Sequence, residues 1–140
     1  MSIARYFARK LDILGSDDWQ MAEADSFVDT VEDVIHVLKA KDYIVKLVHG
    51  KTEGLEAEIT ESLQPFLERL EKHLKSTNGL NLVGNKLTWA DIVLADLYQR
   101  FTLTLPRLLD PFPAVRKFAD HVYNLPGIKE HVATRSLKTF

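Results

Sequence analysis

The chain has 140 residues, 46% of them hydrophobic and 27% charged, enough for one domain with a real core and the composition of an ordinary globular protein. A formal net charge of −2 offers no basic field for nucleic acid, and the absence of cysteine removes disulfides, thiolate metal sites and thiol nucleophiles. No apolar run reaches the roughly 18 residues of a membrane-spanning helix, and no long apolar stretch follows the basic N-terminal residues as it would in a secretory signal, so cytoplasm is the expected compartment.

Ile3 to Leu11 reads as a short helix, and Gly15-Ser16-Asp17-Asp18 breaks it and caps the next. From Trp19 onward Met21, Ala24, Val28, Val31, Ile35 and Leu38 recur at spacings of three and four, the stripe of an amphipathic helix. The pattern predicts a run to Val48, with His49-Gly50 as its stop. Leu55, Ile59, Leu63, Phe66, Leu70 and Leu74 form a second stripe, and Pro65 inside it should kink the helix or remove one hydrogen bond. Ser76-Thr77-Asn78-Gly79 closes that helix. A third starts at Thr88 and runs to about Leu105, before Pro106. Asp110-Pro111-Phe112-Pro113 opens a fourth, with proline in the first turn where its missing N–H is harmless, and Leu125-Pro126-Gly127 opens a last short one ending near Arg135. No hairpin dipeptide lies between alternating apolar runs. The expected fold is an all-α bundle of about five or six helices.

The stretch Leu82-Val83-Gly84-Asn85-Lys86-Leu87-Thr88-Trp89-Ala90-Asp91-Ile92 carries the most information. Thr88 is placed as N-cap and Asp91 as the residue three on whose carboxylate reaches back to the cap amide, a capping box with a shorter acid than usual; Leu87 and Ile92 are spaced as a hydrophobic staple. The full string resembles the signature of the helical C-terminal domain of glutathione transferases, where it is a folding element and not a catalytic site. Ile3 to Lys10 looks like the helix that ends the family's thioredoxin-like N-terminal domain. The resemblance therefore divides the chain into residues 1–13, the remnant of that helix, and residues 14–140, the helical domain. Val28-Asp29-Thr30-Val31-Glu32-Asp33 and the tail from Val132 to Phe140 are similar to the sigma class, the group that includes haematopoietic prostaglandin D synthase. Met1 falls just after the point where the family carries the Gln-Ser pair that grips glutathione, and the tyrosine that stabilises the glutathione thiolate belongs to the domain before it. Tyr6 is not that residue and is expected to pack. The resemblance thus implies part of an enzyme, with no catalytic residue of its own and inactive alone. The implied function is to supply the pocket for a hydrophobic electrophile in glutathione conjugation.

Asp25, Asp29, Glu32 and Asp33 share one helix flank. By resemblance, Asp33 matches the carboxylate that reaches across a homodimer to the glutathione amine. Asp29, Glu32 and Asp33 match an acidic cluster that holds a divalent cation between subunits in the prostaglandin synthase. A solvated acidic face near a helix N-terminus is the plainer reading, so no metal is assigned, and no cofactor beyond glutathione as co-substrate. The positions that match the electrophile pocket are Ile35, Val93, Leu97 and Phe140, all apolar, although the first three also fit core stripes. Ala40 stands where the prostaglandin synthase has a rim tryptophan, which favours a plain transferase over a prostaglandin isomerase. His36, His49, His73, His121 and His131 show no metal-ligand spacing, and neither a nucleophile elbow nor a glycine-rich phosphate loop is present. Trp19 is expected to be a core or interface anchor, and Trp89 to pack beneath the cap. A non-catalytic helical assembly module with the same fold is the alternative.

Overall fold

Seven helices and no strand make up the described residues, 1–50 and 54–135, of a computed structural model. They are α1 (Ser2–Lys10), α2 (Asp18–Ala40), α3 (Tyr43–Val48), α4 (Leu55–Ser76), α5 (Trp89–Thr104), α6 (Pro113–Tyr123) and α7 (Ile128–Thr134). The all-α expectation holds. The count rises to seven because the run expected from Trp19 to Val48 is two helices. The Lys41 and Asp42 amides turn back onto the Val37 and Lys39 carbonyls, and Asp42 adopts a left-handed φ of 55°. Aspartate tolerates that region better than most residues, so the break carries no glycine or proline to announce it.

Local signals explain the remaining boundaries. Asp17 caps α2 by accepting from the Gln20 amide at 2.8 Å, and the Gln20 side chain accepts from the Ser16 amide at 3.1 Å, a reciprocal lock of the capping-box type. α4 runs unbroken through Pro65. Proline has no N–H for the Glu61 carbonyl, but both residues lie on the exposed side, where water can take the carbonyl's place. The Phe112 cap of α6 offers no side-chain acceptor. Its place is taken by Glu71 of α4, which accepts from the Ala114 amide at 2.9 Å and the Val115 amide at 3.0 Å and pairs with Lys75 at 2.9 Å. Burial alone would raise the Glu71 pKa, yet the Lys75 ammonium and the two α6 amides together hold it below its usual value.

α5 is the centre of the bundle. It packs against α2 on one side and α6 on the other, burying Trp89, Leu94, Leu97, Tyr98 and Phe101. α2 contributes Ala24, Val28, Val31, Val34 and Leu38 to that core, and α4 contributes Leu55, Ile59, Leu63, Leu67, Leu70 and Leu74. Two stripe positions shift by one residue: Val34 and Leu67 are buried where Ile35 and Phe66 are half-buried. No helix among the described residues is long and apolar enough to cross a membrane.

Candidate functional site: a cavity beside the central helix

The start of α5 is fixed from three directions. Asp91 is wholly buried. Its Oδ2 accepts from the Thr88 amide at 2.6 Å and the Thr88 hydroxyl at 3.0 Å, and its Oδ1 accepts from the Leu82 amide at 2.7 Å. The Asp91 carboxylate therefore closes the capping box and also ties down the preceding loop. Burial pushes its pKa up, against the lowering effect of these bonds. His73 Nε2 donates to the Leu82 carbonyl at 2.7 Å, so α4 holds the same loop from its other side. Gly84 turns the loop with φ of 59°, and a Cβ there would lie 3.1 Å from the Gln20 side chain. The Trp89 amide donates to the Ile13 carbonyl at 2.8 Å, and the Arg5 guanidinium lies 5.3 Å from the centre of the Trp89 ring. These contacts set the angle at which α5 leaves the loop. Trp89 is buried, as expected.

Past that anchor, one side of α5 borders a cavity of about 770 Å³ instead of a neighbouring helix. Ile35 of α2, Ile44 of α3, Val93 and Leu97 of α5, Val122 and Tyr123 of α6, and Ile128 of α7 form its apolar wall. The structure thus brings Ile35, Val93 and Leu97, expected around the second substrate, onto one surface; Phe140 lies outside the described residues. Ile35 and Val93 are half-buried because the cavity takes the place of a packing partner.

Polar groups that the sequence reading did not single out share the same cavity. Asp96 accepts from Arg100 Nε at 2.9 Å through one oxygen and from Arg135 Nη1 at 2.9 Å through the other, and Arg135 also donates to the Gln99 side chain. The Tyr123 hydroxyl donates to the Ala95 carbonyl. Its pKa is driven well up, first by burial and then by the nearby Asp96 charge. Lys39 lies on the rim, exposed, with no partner among the described residues. The positions 93, 96, 97 and 100 fall on one helical face, so the sequence did carry a signal: two charged residues interleaved with two apolar ones on a surface that should otherwise be core.

The acidic flank of α2 is not gathered into a site. Asp25 pairs with Arg5 at 3.1 Å, and Glu32 lies 3.7 Å from the Met1 amino group. Asp29 and Asp33 are exposed, with no partner among the described residues, and no three carboxylates or histidines among them converge as metal ligands would. Asp33 does not line the cavity. Ala40 ends α2 at an exposed position. None of the five histidines is fully buried. Two aromatic side chains lie outside the core. Trp19 is 77% exposed and is no core anchor in this chain, because its place in the first turn of α2 faces outward. Tyr6 is also exposed, with only an edge-on ring contact to Phe7 and the nearby Lys10 ammonium.

A family model described as "Glutathione S-transferase, C-terminal domain" matches residues 21–135. Glutathione S-transferase 3 of Caenorhabditis elegans is 33% identical, over 96% of this chain and 66% of the relative. Glutathione S-transferase S1 of Drosophila melanogaster is 31% identical, over 96% of this chain and 54% of the relative. Among solved structures, the monomeric glutathione S-transferase Na-GST-3 of the hookworm Necator americanus superposes with a TM-score of 0.87 at 28% identity, covering 99% of this chain and 69% of that one. The prostaglandin synthase D of Nilaparvata lugens superposes with a TM-score of 0.77 at 27% identity, covering 97% and 67%. The chain spans between about half and two thirds of the length of these curated relatives.

Proposed function

Because the chain belongs to the glutathione S-transferase C-terminal domain family, we propose that it is the helical part of a sigma-like glutathione transferase and that its cavity receives the hydrophobic electrophile conjugated to glutathione. The observation that carries this reading is the cavity itself. Its volume, about 770 Å³, is that of a small-molecule site, and its wall is apolar with a few convergent polar groups. Such a wall strips water from an electrophile and holds it still for attack by a thiolate delivered from the other domain. The relatives named S1 and prostaglandin synthase support the sigma-like assignment, while Ala40 argues for conjugation over prostaglandin isomerisation.

In this reading residues 1–13 are the end of a thioredoxin-like domain and residues 14–140 the helical domain. The thioredoxin-like domain supplies the tyrosine and the grip on glutathione. Asp33, exposed on α2 with no partner among the described residues, is available to a glutathione amine held by the second subunit of a cytoplasmic homodimer. The test is conjugation of glutathione to 1-chloro-2,4-dinitrobenzene, followed by absorbance. The 140-residue chain alone should show negligible turnover, and the chain fused behind the thioredoxin-like domain of a sigma-type relative should turn over. Appreciable activity of the chain alone would overturn this division of labour. The apolar surface of α1, with Ile3 74% exposed, favours a second reading, a non-catalytic assembly module, and a fusion that folds without turnover would support it.

A further inference from the structure

We infer that the corner formed by α3 and the end of α2 is a contact site for an anionic lipid surface, its valines entering the interface and its lysines meeting the head groups. This goes beyond the proposed function, and its test is a binding measurement that stands apart from catalysis.

α3 packs on α2 through its inner side. Tyr43 is buried and Ile44 half-buried, so Val45 and Val48, three residues apart, fall on the outer side of the helix, 55% and 57% exposed. Val37, in the last turn of α2, is exposed as well. Residues 36–50 hold Lys39, Lys41 and Lys46 against the one carboxylate of Asp42, in a chain whose net charge is −2. None of the three lysines pairs with a carboxylate among the described residues. Lys41 donates to the Ser62 hydroxyl at 2.8 Å, and Lys41 and Lys46 each lie 5.6 Å from the centre of the Tyr43 ring, so one ring gathers two of the charges at the start of α3. α1 also exposes apolar residues, but Asp25 answers its Arg5 and Glu32 the Met1 amine, so its cations are partly spent within the fold. α3 is too short to span a bilayer and can only lie on one. Apolar side chains interleaved with lysines suit that position, the acyl boundary taking the first and acidic head groups the second. An acidic polypeptide would answer the lysines and leave the valines in water. Lys39 and Ile44 of the same corner also line the cavity. Seating the corner on a bilayer therefore brings the cavity edge to the layer in which an apolar electrophile concentrates, and shortens its passage through water.

The probes are vesicles of phosphatidylcholine alone and vesicles in which about a third of the lipid is phosphatidylserine. Binding of the 140-residue chain is read by flotation through a density gradient at low and high salt. The anionic vesicles should bind about tenfold more tightly than the neutral ones at low salt, with the gap narrowing as salt rises. Lys46→Gln should weaken binding to the anionic vesicles about fivefold and Val45→Asp about tenfold, while Phe7→Ser on α1 stays within about twofold. Lys46 and Val45 are exposed and neither lines the cavity, so the circular dichroism of their variants should match that of the wild type. Equal binding to the two kinds of vesicle, or no binding to either, would overturn the inference. So would loss of binding in Phe7→Ser with both corner variants unchanged, which would place the contact on α1. Capture by polyglutamate without flotation would assign the lysines to an acidic polypeptide and overturn it too. A fusion that floats with anionic vesicles but shows no turnover would sink the transferase reading alone. A fusion that turns over and stays off the vesicles would sink this inference alone.

Discussion

Asp91 and Asp96 lie five residues apart on α5 and do opposite work. Asp91 is 0% exposed, and its oxygens are consumed by the Thr88 and Leu82 amides and the Thr88 hydroxyl, neutral donors of its own cap and the loop before it. The Asp96 side chain is 34% exposed, and its oxygens are consumed by two guanidinium groups from Arg100 and Arg135. The first carboxylate organises backbone and so serves the fold. The second organises charge around a space and so serves whatever enters it. A single helix carries both roles because its N-terminal turn is sealed by loops while one side of its middle borders the cavity.

The largest expected effect is at the sealed end. Asp91→Ala leaves the Leu82 and Thr88 amides buried without an acceptor and should cost about 3 kcal/mol of stability. Asp96→Ala removes partly exposed ion pairs and should cost about 1 kcal/mol or less. Urea unfolding of both variants checks the comparison, and similar losses would erase it. Next in size, a cavity-filling Val93→Trp in the fused enzyme should raise KM for the electrophile about tenfold with KM for glutathione unchanged. Steady-state kinetics with each substrate varied in turn would show this, and a parallel rise in both constants would mean that α5 itself had shifted.

pH separates the buried carboxylates by sign. The Glu71 pKa is lowered in the fold from its ordinary 4.5, so the stability it contributes is present above that value and is lost as pH falls below it. The Asp91 pKa is raised from its ordinary 3.8, so its contribution is greatest below that value and declines as pH rises through the folded pKa. Urea midpoints measured from pH 3 to 7 should therefore show the wild-type advantage over Glu71→Gln shrinking toward acid, and the advantage over Asp91→Asn shrinking toward neutral pH. Parallel trends would remove the distinction. The smallest effect belongs to the surface. Phe7→Ser on the exposed side of α1 should change monomer stability by less than about 0.5 kcal/mol while reducing self-association in sedimentation velocity. An unchanged association state would mean that this side of α1 makes no contact between copies.

Much of the bundle was legible because its stripes are strict and its punctuation is conventional. Proline opens α6, the Thr88–Asp91 spacing opens α5, and leucines at threes and fours run the length of α4. The division between α2 and α3 was not legible, since it rests on a left-handed aspartate in an otherwise helical pattern. Ile35, Val93 and Leu97 were reached through resemblance to a family. Their periodicity alone says only that they face inward, and an inward face does not distinguish packed core from cavity wall. The Asp96–Arg100 spacing looks like any solvated ion pair on a helix. Its meaning depends on Arg135, which lies 39 residues from Asp96 and reaches it only once α7 has folded back. The core alternative for Trp19 failed because size and apolarity say nothing about which way the first turn of a helix will face.

The Glu71 bond to α6 bears on the order in which the molecule is made. A peptide cut to the 11 residues of α6 would hold neither its carboxylate acceptor nor the length for a stable helix in water. During synthesis α4 leaves the ribosome first, already carrying the group that α6 lacks. The later helix therefore begins on a template the earlier one provides, and a circular rearrangement that placed residues 113–123 ahead of α4 would have to hold that segment unfinished until its template arrived.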